Sequence, residues 1–262
     1  MIVAQITDPH ISLPGSRLYG GYDPDGAFSS VLAHVAALNP RPDLVVLSGD
    51  LTENGTPEEY AHFRALIAGF DLPLAAIPGN HDRRDAFAEA FAGTAVTAGV
   101  DPSWLSIQID LPGLTVLGLD TLGLEGEAGG TLDEARLDWL GRRLADAGAT
   151  PVLLFMHHPP FATGIVRMDR WGLADPGDFT RLVAAAPTVL RVCCGHVHRA
   201  IEAAYAGTIA GVCPPVAWSV PLFRPEVPVP LIPSVPGFQL HCWEAGRGLV
   251  THTEFLRPEA SS

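Results

Sequence analysis

Five short stretches hold the residues of this chain that are equipped for chemistry: "TDPH" with Asp8 and His10, "SGD" with Asp50, "PGNHD" with Asn80, His81 and Asp82, "MHHPP" with His157 and His158, and "CGHVH" with His196 and His198. Carboxylate, imidazole and amide donors together suit hard or borderline divalent ions such as zinc, manganese and iron. Each stretch read alone has a plainer meaning. A Gly-Asp is usually a turn, Gly-Asn-His-Asp fits a loop with Asn in a left-handed conformation, and His-His-Pro-Pro fits a surface turn. All five, however, follow an apolar run that reads as a strand, and ligands bind at the C-terminal ends of strands in open α/β sheets. Cys193 and Cys194 stand beside the last histidine pair but are adjacent, which is neither a redox nor a zinc-knuckle spacing. They end the apolar run Val189 to Cys194 and are expected to pack as buried free thiols.

The elements that must carry these residues follow from apolar periodicity. Strands are predicted at Ile2 to Ile6, Leu44 to Ser48, Leu74 to Ile77, Trp104 to Ile109, Leu114 to Leu119, Val152 to Met156 and Val189 to Cys194. Helices are predicted at about Asp25 to Leu38, Pro57 to Ala68, Arg84 to Ala92, Asp133 to Ala147 and Asp178 to Ala186. The second helix has the fullest start and stop grammar: Thr56 as N-cap, Pro57 in the first turn, Glu59 completing a capping box and Gly69 after the end. The alternation implies a layered α/β fold, with sheets covered by helices. The last quarter departs from it. "VPLFRPEVPVPLIPSVPGF" (220–238) is too apolar for a solvated linker and is read as an extended arm, packed on its own domain or on another subunit. "FQLHCWE" and "GLVTHTEF" then read as two closing strands. Residues 1–215 would form the catalytic domain, and 216–262 the arm and closing strands of that same domain.

Composition narrows the function classes. A chain of 262 residues with 47% hydrophobic and 17% charged residues buries a substantial core and is not disordered. A formal charge of −13, with no basic cluster to override it, argues against a nucleic-acid surface. The first residues, "MIVAQITDPH", lack a basic n-region and a cleavage pattern, and no apolar run approaches the ~20 residues that span a bilayer. Four cysteines, two of them adjacent, do not make a disulfide framework, so the expected compartment is the cytoplasm.

The series D-x-H, GD, GNHD, His and GHxH in this order, spanning residues 8 to 198, resembles the calcineurin-like metallophosphoesterase superfamily. "ITDPHI", "LYGGYDP", "GTPEEY", "IPGNHD" and "FMHHPP" are similar to the class III cyclic-nucleotide phosphodiesterases and the related bacterial glycerophosphodiesterase. The resemblance implies a four-layer sandwich of two mixed β-sheets flanked by helices, with the C-terminal extended arm. It implies two divalent ions (Mn, Fe, Zn or Co), one held by Asp8, His10, Asp50 and His198, the other by Asp50, Asn80, His157 and His196. Asp50 is then the bridge, and a metal-bound hydroxide attacks phosphorus. His81 would be catalytic, meeting the phosphoryl oxygens or the leaving group, and His81, Asn80 and His158 would contact substrate. Asp82, Arg83 and Arg84 flank the site, whereas His34, His62, His241 and His252 read as structural or surface residues. The implied substrate is a small soluble phosphodiester, with 3′,5′-cyclic nucleotides such as cyclic AMP placed first and glycerophosphodiesters as the alternative. The implied assembly is a homo-oligomer, a dimer or larger. One departure bears on specificity: Trp218 in "PPVAWSVP" falls where the glycerophosphodiesterase branch has a histidine. A non-catalytic scaffold, as in the retromer-type members, is the competing class, but those members have lost ligands and every ligand position here is filled.

Overall fold

The computed structural model describes residues 1–97, 104–222, 231, 232 and 234–256. In chain order the strands are β1 (Ile2–Ile6), β2 (Leu44–Ser48), β3 (Leu74–Ile77), β4 (Ile107–Leu111), β5 (Leu114–Leu119), β6 (Val152–Met156), β7 (Val189–Cys194), β8 (Ile201–Tyr205), β9 (Thr208–Val212), β10 (Gly237–Glu244) and β11 (Gly248–Phe255). The helices are α1 (Pro24–Ala36), α2 (Pro57–Ile67), α3 (Arg84–Phe91), α4 (Glu134–Ala147), the single turn α5 (Val166–Asp169) and α6 (Gly177–Ala185). A short 3₁₀ turn, Ala95–Thr97, follows α3.

Period-two alternation in the strands divides their side chains between separate cores. In β6, Leu153 and Phe155 face the other sheet, while Val152, Leu154 and Met156 face helices. The same rule places Cys193 between the sheets and Cys194 under the helices. One sheet runs β11-β10-β1-β2-β3, with β1, β2 and β3 parallel and β10 and β11 antiparallel at one margin; the other runs β4-β5-β6-β7-β9-β8, with β5, β6, β7 and β9 parallel and β4 and β8 antiparallel at the two margins. Phe28 and Val31 of α1, Phe63 of α2 and Phe87 of α3 cover the first sheet; Trp139 and Leu140 of α4 and Phe179 of α6 cover the second. The result is two mixed sheets flanked by helices, as the resemblance implied.

The capping box on α2 is present in full, with the Glu59 side chain on the Thr56 backbone and the Thr56 hydroxyl on the Glu59 N–H. The closing strands do more than close. β10 pairs antiparallel with β1, register Ile2 to Cys242, so the end of the chain forms sheet with its beginning. Two expectations need correction. The strand placed at Trp104 begins at Ile107, because Trp104 stacks under the Arg136 guanidinium and Leu105 turns its N–H toward Asp120. The β8–β9 hairpin has no counterpart in the sequence reading. Its turn is Ala206-Gly207, both at positive φ, and its strands are rich in alanine and glycine, which carry little periodic signal. The arm expected at Val220 to Phe238 has residues 223–230 and 233 outside the described ones. Of the rest, Ser219 and Ile232 exchange two backbone hydrogen bonds of 2.9 Å, and Phe238 is fully buried in the first core. Among the described residues no helix is long and apolar enough to cross a membrane.

Candidate metal centre

Loops leaving β1, β2, β3, β6 and β7 bring the five stretches together where the C-terminal ends of both sheets meet. Beyond the strands the first two loops stay zipped: Asp8 N–H donates to Gly49 O, His10 N–H to Asp50 O and Ile11 N–H to Leu51 O, at 3.0–3.1 Å. The backbone carries unusual strain here. Asp8, His10, Asp50, His196 and His198 all have positive φ, between 49° and 71°. Each such non-glycine residue costs on the order of 1–3 kcal/mol and persists only where the surroundings enforce it, as at functional sites. Small residues make room for the convergence. A Cβ on Gly79 would stand 2.3 Å from Asp50 Oδ1, and one on Gly49 2.3 Å from His157 Nδ1.

Two fully buried clusters of donors result, with a third, partly exposed group of His10, Glu53 and His81 beside them. Asp8, His10, Asp50 and His198 form one, and His157, His158 and His196 the other, all buried. Asp50 Oδ2 lies 3.6 Å from His10 Nε2 and 3.3 Å from His157 Nε2, so this carboxylate faces both clusters. Asp8 Oδ1 lies 3.3 Å from His198 Nε2, while both its oxygens accept the His196 N–H at 3.1 Å. Three outer hydrogen bonds settle which ring nitrogens face inward. His198 Nδ1 donates to Trp218 O at 2.7 Å, His157 Nδ1 to Ser48 O at 2.9 Å and His10 Nδ1 to the Glu53 carboxylate at 2.9 Å. Carbonyl and carboxylate oxygens only accept, so Nε2 is left to the centre in each ring.

The donors fit divalent ions on the structure's own terms. His10 Nε2 and His198 Nε2 point at each other across 3.1 Å, an arrangement two lone pairs tolerate only with a cation or proton between them. Asn80 Oδ1, His157 Nε2 and His196 Nε2 are buried with no hydrogen-bond partner, although buried polar atoms normally have one. Electrostatics in the ion-free protein agree. Burial disfavours both carboxylates, yet the surrounding histidines hold Asp8 down at about 2 and Asp50 well below its ordinary value. Burial likewise opposes charge on His157, but Asp50 and Asp8 raise it to about 9, whereas burial and the neighbouring His157 drop His196 to about 3. A proton therefore substitutes for an ion on His157 Nε2 up to about pH 9. Loading must expel it, so ion affinity is expected to fall as the pH drops below that value, with at least one proton released per chain at neutral pH. Manganese titration calorimetry in buffers of differing ionisation enthalpy counts that proton, and a pH-independent affinity would refute the coupling.

The flanking residues sort differently from their sequence neighbourhood. Asp82 accepts hydrogen bonds from the backbone of Leu51, Thr52 and Gly79 and from the hydroxyls of Thr52 and Tyr60, tying the β2 and β3 loops together. Arg84 makes a two-pronged pair with the fully buried Asp120, at 2.8 and 3.0 Å, and Arg83 pairs with Glu125 at the surface. His158, expected at the substrate, lies within the second donor cluster, with Nδ1 on the Thr121 hydroxyl. His81 donates its backbone N–H to Asp50 Oδ1 and its Nδ1–H to Glu53 O, at 2.8 and 2.7 Å. Sequence reading did not single out Glu53 or Tyr19. The available signal was Glu53 standing three residues after Asp50, within the same loop. Cys193 and Cys194 are buried packing, as expected, and burial lifts the Cys193 thiol to about 12.

A family model described as calcineurin-like phosphoesterase matches residues 1–200. The chain belongs to the calcineurin-like phosphoesterase family. Among members of this phosphoesterase family, a probable glycerophosphodiester phosphodiesterase of Arcobacter nitrofigilis is 34% identical over 264 residues, covering 98% of this chain and 93% of its own. A 3′,5′-cyclic adenosine monophosphate phosphodiesterase of Escherichia coli is 30% identical over 200 residues, covering 76% and 70%. The solved structure of a dimetal phosphatase from Danio rerio shares the fold, with a TM-score of 0.69 at 13% identity over 97% of this chain and 98% of that one.

Proposed function

We propose that this phosphoesterase is a metal-dependent phosphodiesterase acting on small, soluble, acyclic phosphodiesters of the glycerophosphodiester type. The observation that carries the reading is the cleft around the donor clusters, which has two lobes meeting at Asn80, His81 and Ala128. One lobe, of about 600 Å³, is lined by charged residues such as Glu53, Arg83, Arg84 and Asp85 together with Leu122 and Leu124. The other, of about 670 Å³, is walled by Tyr19, Met168, Trp171, Trp218 and Val220. A phosphodiester centred between them has a lobe for each ester arm, whereas a monoester leaves one lobe unfilled. The relative that matches along nearly the whole chain carries a glycerophosphodiesterase name, which supports the acyclic substrate. Cyclic nucleotides, placed first by the sequence, remain the second reading, because the aromatic lobe suits a planar base.

In this proposal Asp8, His10, Asp50 and His198 hold one ion, and Asp50, Asn80, His157 and His196 the other. The ions are manganese, iron, zinc or cobalt, in keeping with the mixed imidazole and carboxylate donors. Such a pair supplies Lewis acidity, which lowers the pKa of a coordinated water and neutralises charge on a phosphoryl group. The protein's own part is positioning and proton supply. Glu53 O fixes the proton on His81 Nδ1, so Nε2 faces the junction of the lobes, where a leaving alkoxide needs a proton. Cytoplasmic location and a homo-oligomer joined through the C-terminal arm belong to the same reading, and light scattering tests the assembly.

The substrate claim is tested with manganese-loaded protein at one pH near 8. The kcat/KM for a glycerophosphodiester is expected to exceed that for glycerol phosphate and for cyclic AMP. A preference for the monoester would sink the diesterase reading while leaving a two-metal hydrolase; a preference for cyclic AMP would replace the acyclic substrate by the second reading.

A further inference from the structure

We infer that Glu53 is a positioning residue that sets the working nitrogens of two histidines at once, His10 toward the ions and His81 toward the leaving group. The inference rests on the metal reading above. Glu53 reaches this place because its N–H donates to Ile11 O at 3.0 Å, the last rung joining the β1 and β2 loops. Its carboxylate is then drawn in under His10, with the side chain 11% exposed.

Each acceptor on Glu53 has one donor. Oε2 takes the His10 Nδ1–H at 2.9 Å, Oε1 takes the Tyr19 hydroxyl, and the backbone carbonyl takes the His81 Nδ1–H at 2.7 Å. None of these oxygens is able to donate, so both imidazoles keep a proton on Nδ1 and turn Nε2 inward, bare on His10 for an ion and able to carry a second proton on His81. The two rings are also packed edge to face, centroids 4.6 Å apart, so neither rotates without disturbing the other. Trp218 closes the far side of His10 at 4.6 Å and is itself covered by Tyr19 at 4.2 Å. Tyr19 is held at a φ of 38°, a left-handed conformation that the surrounding loop must enforce. Tyr19, Glu53 and His10 thus form one chain from the exposed rim of the aromatic lobe to the first ion position. A different role is open to the same atoms: His10, Glu53 and His81 lie close enough together to ligate a cation directly. The experiment below separates positioning from ligation.

The full chain and its Glu53→Ala, Glu53→Gln and Tyr19→Phe variants are titrated with manganese by calorimetry, and the ion-free proteins are compared by ¹⁵N correlation spectra of the histidine rings. Glu53→Ala is expected to bind one of the two ions about 10–100-fold more weakly, the usual cost of losing an outer partner of a ligating histidine. It should still bind two ions at saturation, and the His10 ring signal should show a mixture of tautomers. Glu53→Gln keeps an acceptor oxygen for Nδ1–H and should recover most of the affinity. Tyr19→Phe, an exposed loop change that spares the fold, should weaken the same ion by a smaller factor. The His81 tautomer should stay fixed in every variant, because the carbonyl that holds it is untouched. Unchanged manganese affinity in Glu53→Ala overturns the inference, and so does the loss of a whole ion at saturation, which would make Glu53 a ligand. Equal weakening of both ions also overturns it, as the mark of a general folding defect. Wild-type protein that binds no manganese sinks the metal reading itself, an outcome distinct from all of these.

Discussion

Asp50→Ala is expected to abolish stable binding of both ions and to lower kcat for a phosphodiester by roughly 10³-fold or more, since each ion supplies several kcal/mol of transition-state stabilisation. The expectation follows from where the carboxylate stands. Oδ2 is within 3.6 Å of His10 Nε2 on one side and 3.3 Å of His157 Nε2 on the other, so one side chain serves both clusters. Oδ1 also accepts the His81 N–H, so the change loosens the loop that presents His81. Asp8→Ala is the contrasting case. Asp8 Oδ1 stands 3.3 Å from His198 Nε2 but 3.9 Å from His157 Nε2, so its loss should affect chiefly the first ion. Ion content by mass spectrometry of the intact native protein, read beside turnover, separates the two variants. Retention of both ions and of normal turnover in Asp50→Ala would remove the bridge from the proposal. Asp50→Asn controls for volume and should fail in the same way, because an amide brings no charge to hold two cations.

Much of this centre is legible before any coordinates because its chemistry is concentrated at strand ends. Strands β1, β2, β3, β6 and β7 are short apolar runs bounded by polar residues, and each hands its first polar side chains to the same edge of the sheets. Order along the chain placed Asp8, His10, Asp50, Asn80, His81, Asp82, His157, His158, His196 and His198 at strand ends, and the resemblance picked seven of them as ligands; the fold gathers Asp8, His10, Asp50 and His198 in one donor group and His157, His158 and His196 in another. The positive φ at five of these residues was not legible, because aspartate and histidine do not announce a left-handed backbone as glycine does.

What escaped reading is of a different kind. Glu53 and Tyr19 matter through hydrogen bonds to groups 43 and 34 positions away. No local pattern reports a partner at that distance. Asp82 and Arg84 sit close to His81 in sequence, and adjacency alone places them only at the flank of the site. The Asp82 side chain turns into five donors beneath the loops, and that of Arg84 pairs with Asp120 at the wall of the cleft. The β8–β9 hairpin was missed for a compositional reason: Ala203, Ala204, Ala210 and Gly211 supply pairing without the apolar alternation that marks a strand. It nevertheless matters to the site, because β9 lies beside β7 in parallel register and supports the strand that carries His196 and His198.

His81→Ala should keep both ions and lose turnover selectively, by roughly 10²–10⁴-fold for an alkyl leaving group, the range that a positioned general acid contributes. No hydrogen bond of the first cluster depends on the His81 ring, which packs edge to face on His10: its bonds are to Glu53 O through Nδ1 and to Asp50 through the backbone N–H, and alanine keeps the latter. In the ion-free protein burial opposes charge on the imidazole, but the negative charge of Asp50 and the Glu53 carbonyl raise its pKa above the ordinary value. A glyceryl or ethyl alkoxide departs poorly without a proton, whereas a nitrophenolate departs readily unassisted. The loss should therefore be large for bis-alkyl diesters and small for nitrophenyl diesters at the same manganese loading. Equal losses would mean that His81 stabilises charge on the phosphoryl oxygens rather than delivering a proton. A fall in ion content would mean that the ring helps hold the metals after all, placing His81 with His10 and Glu53 in a binding cluster instead of at the leaving group.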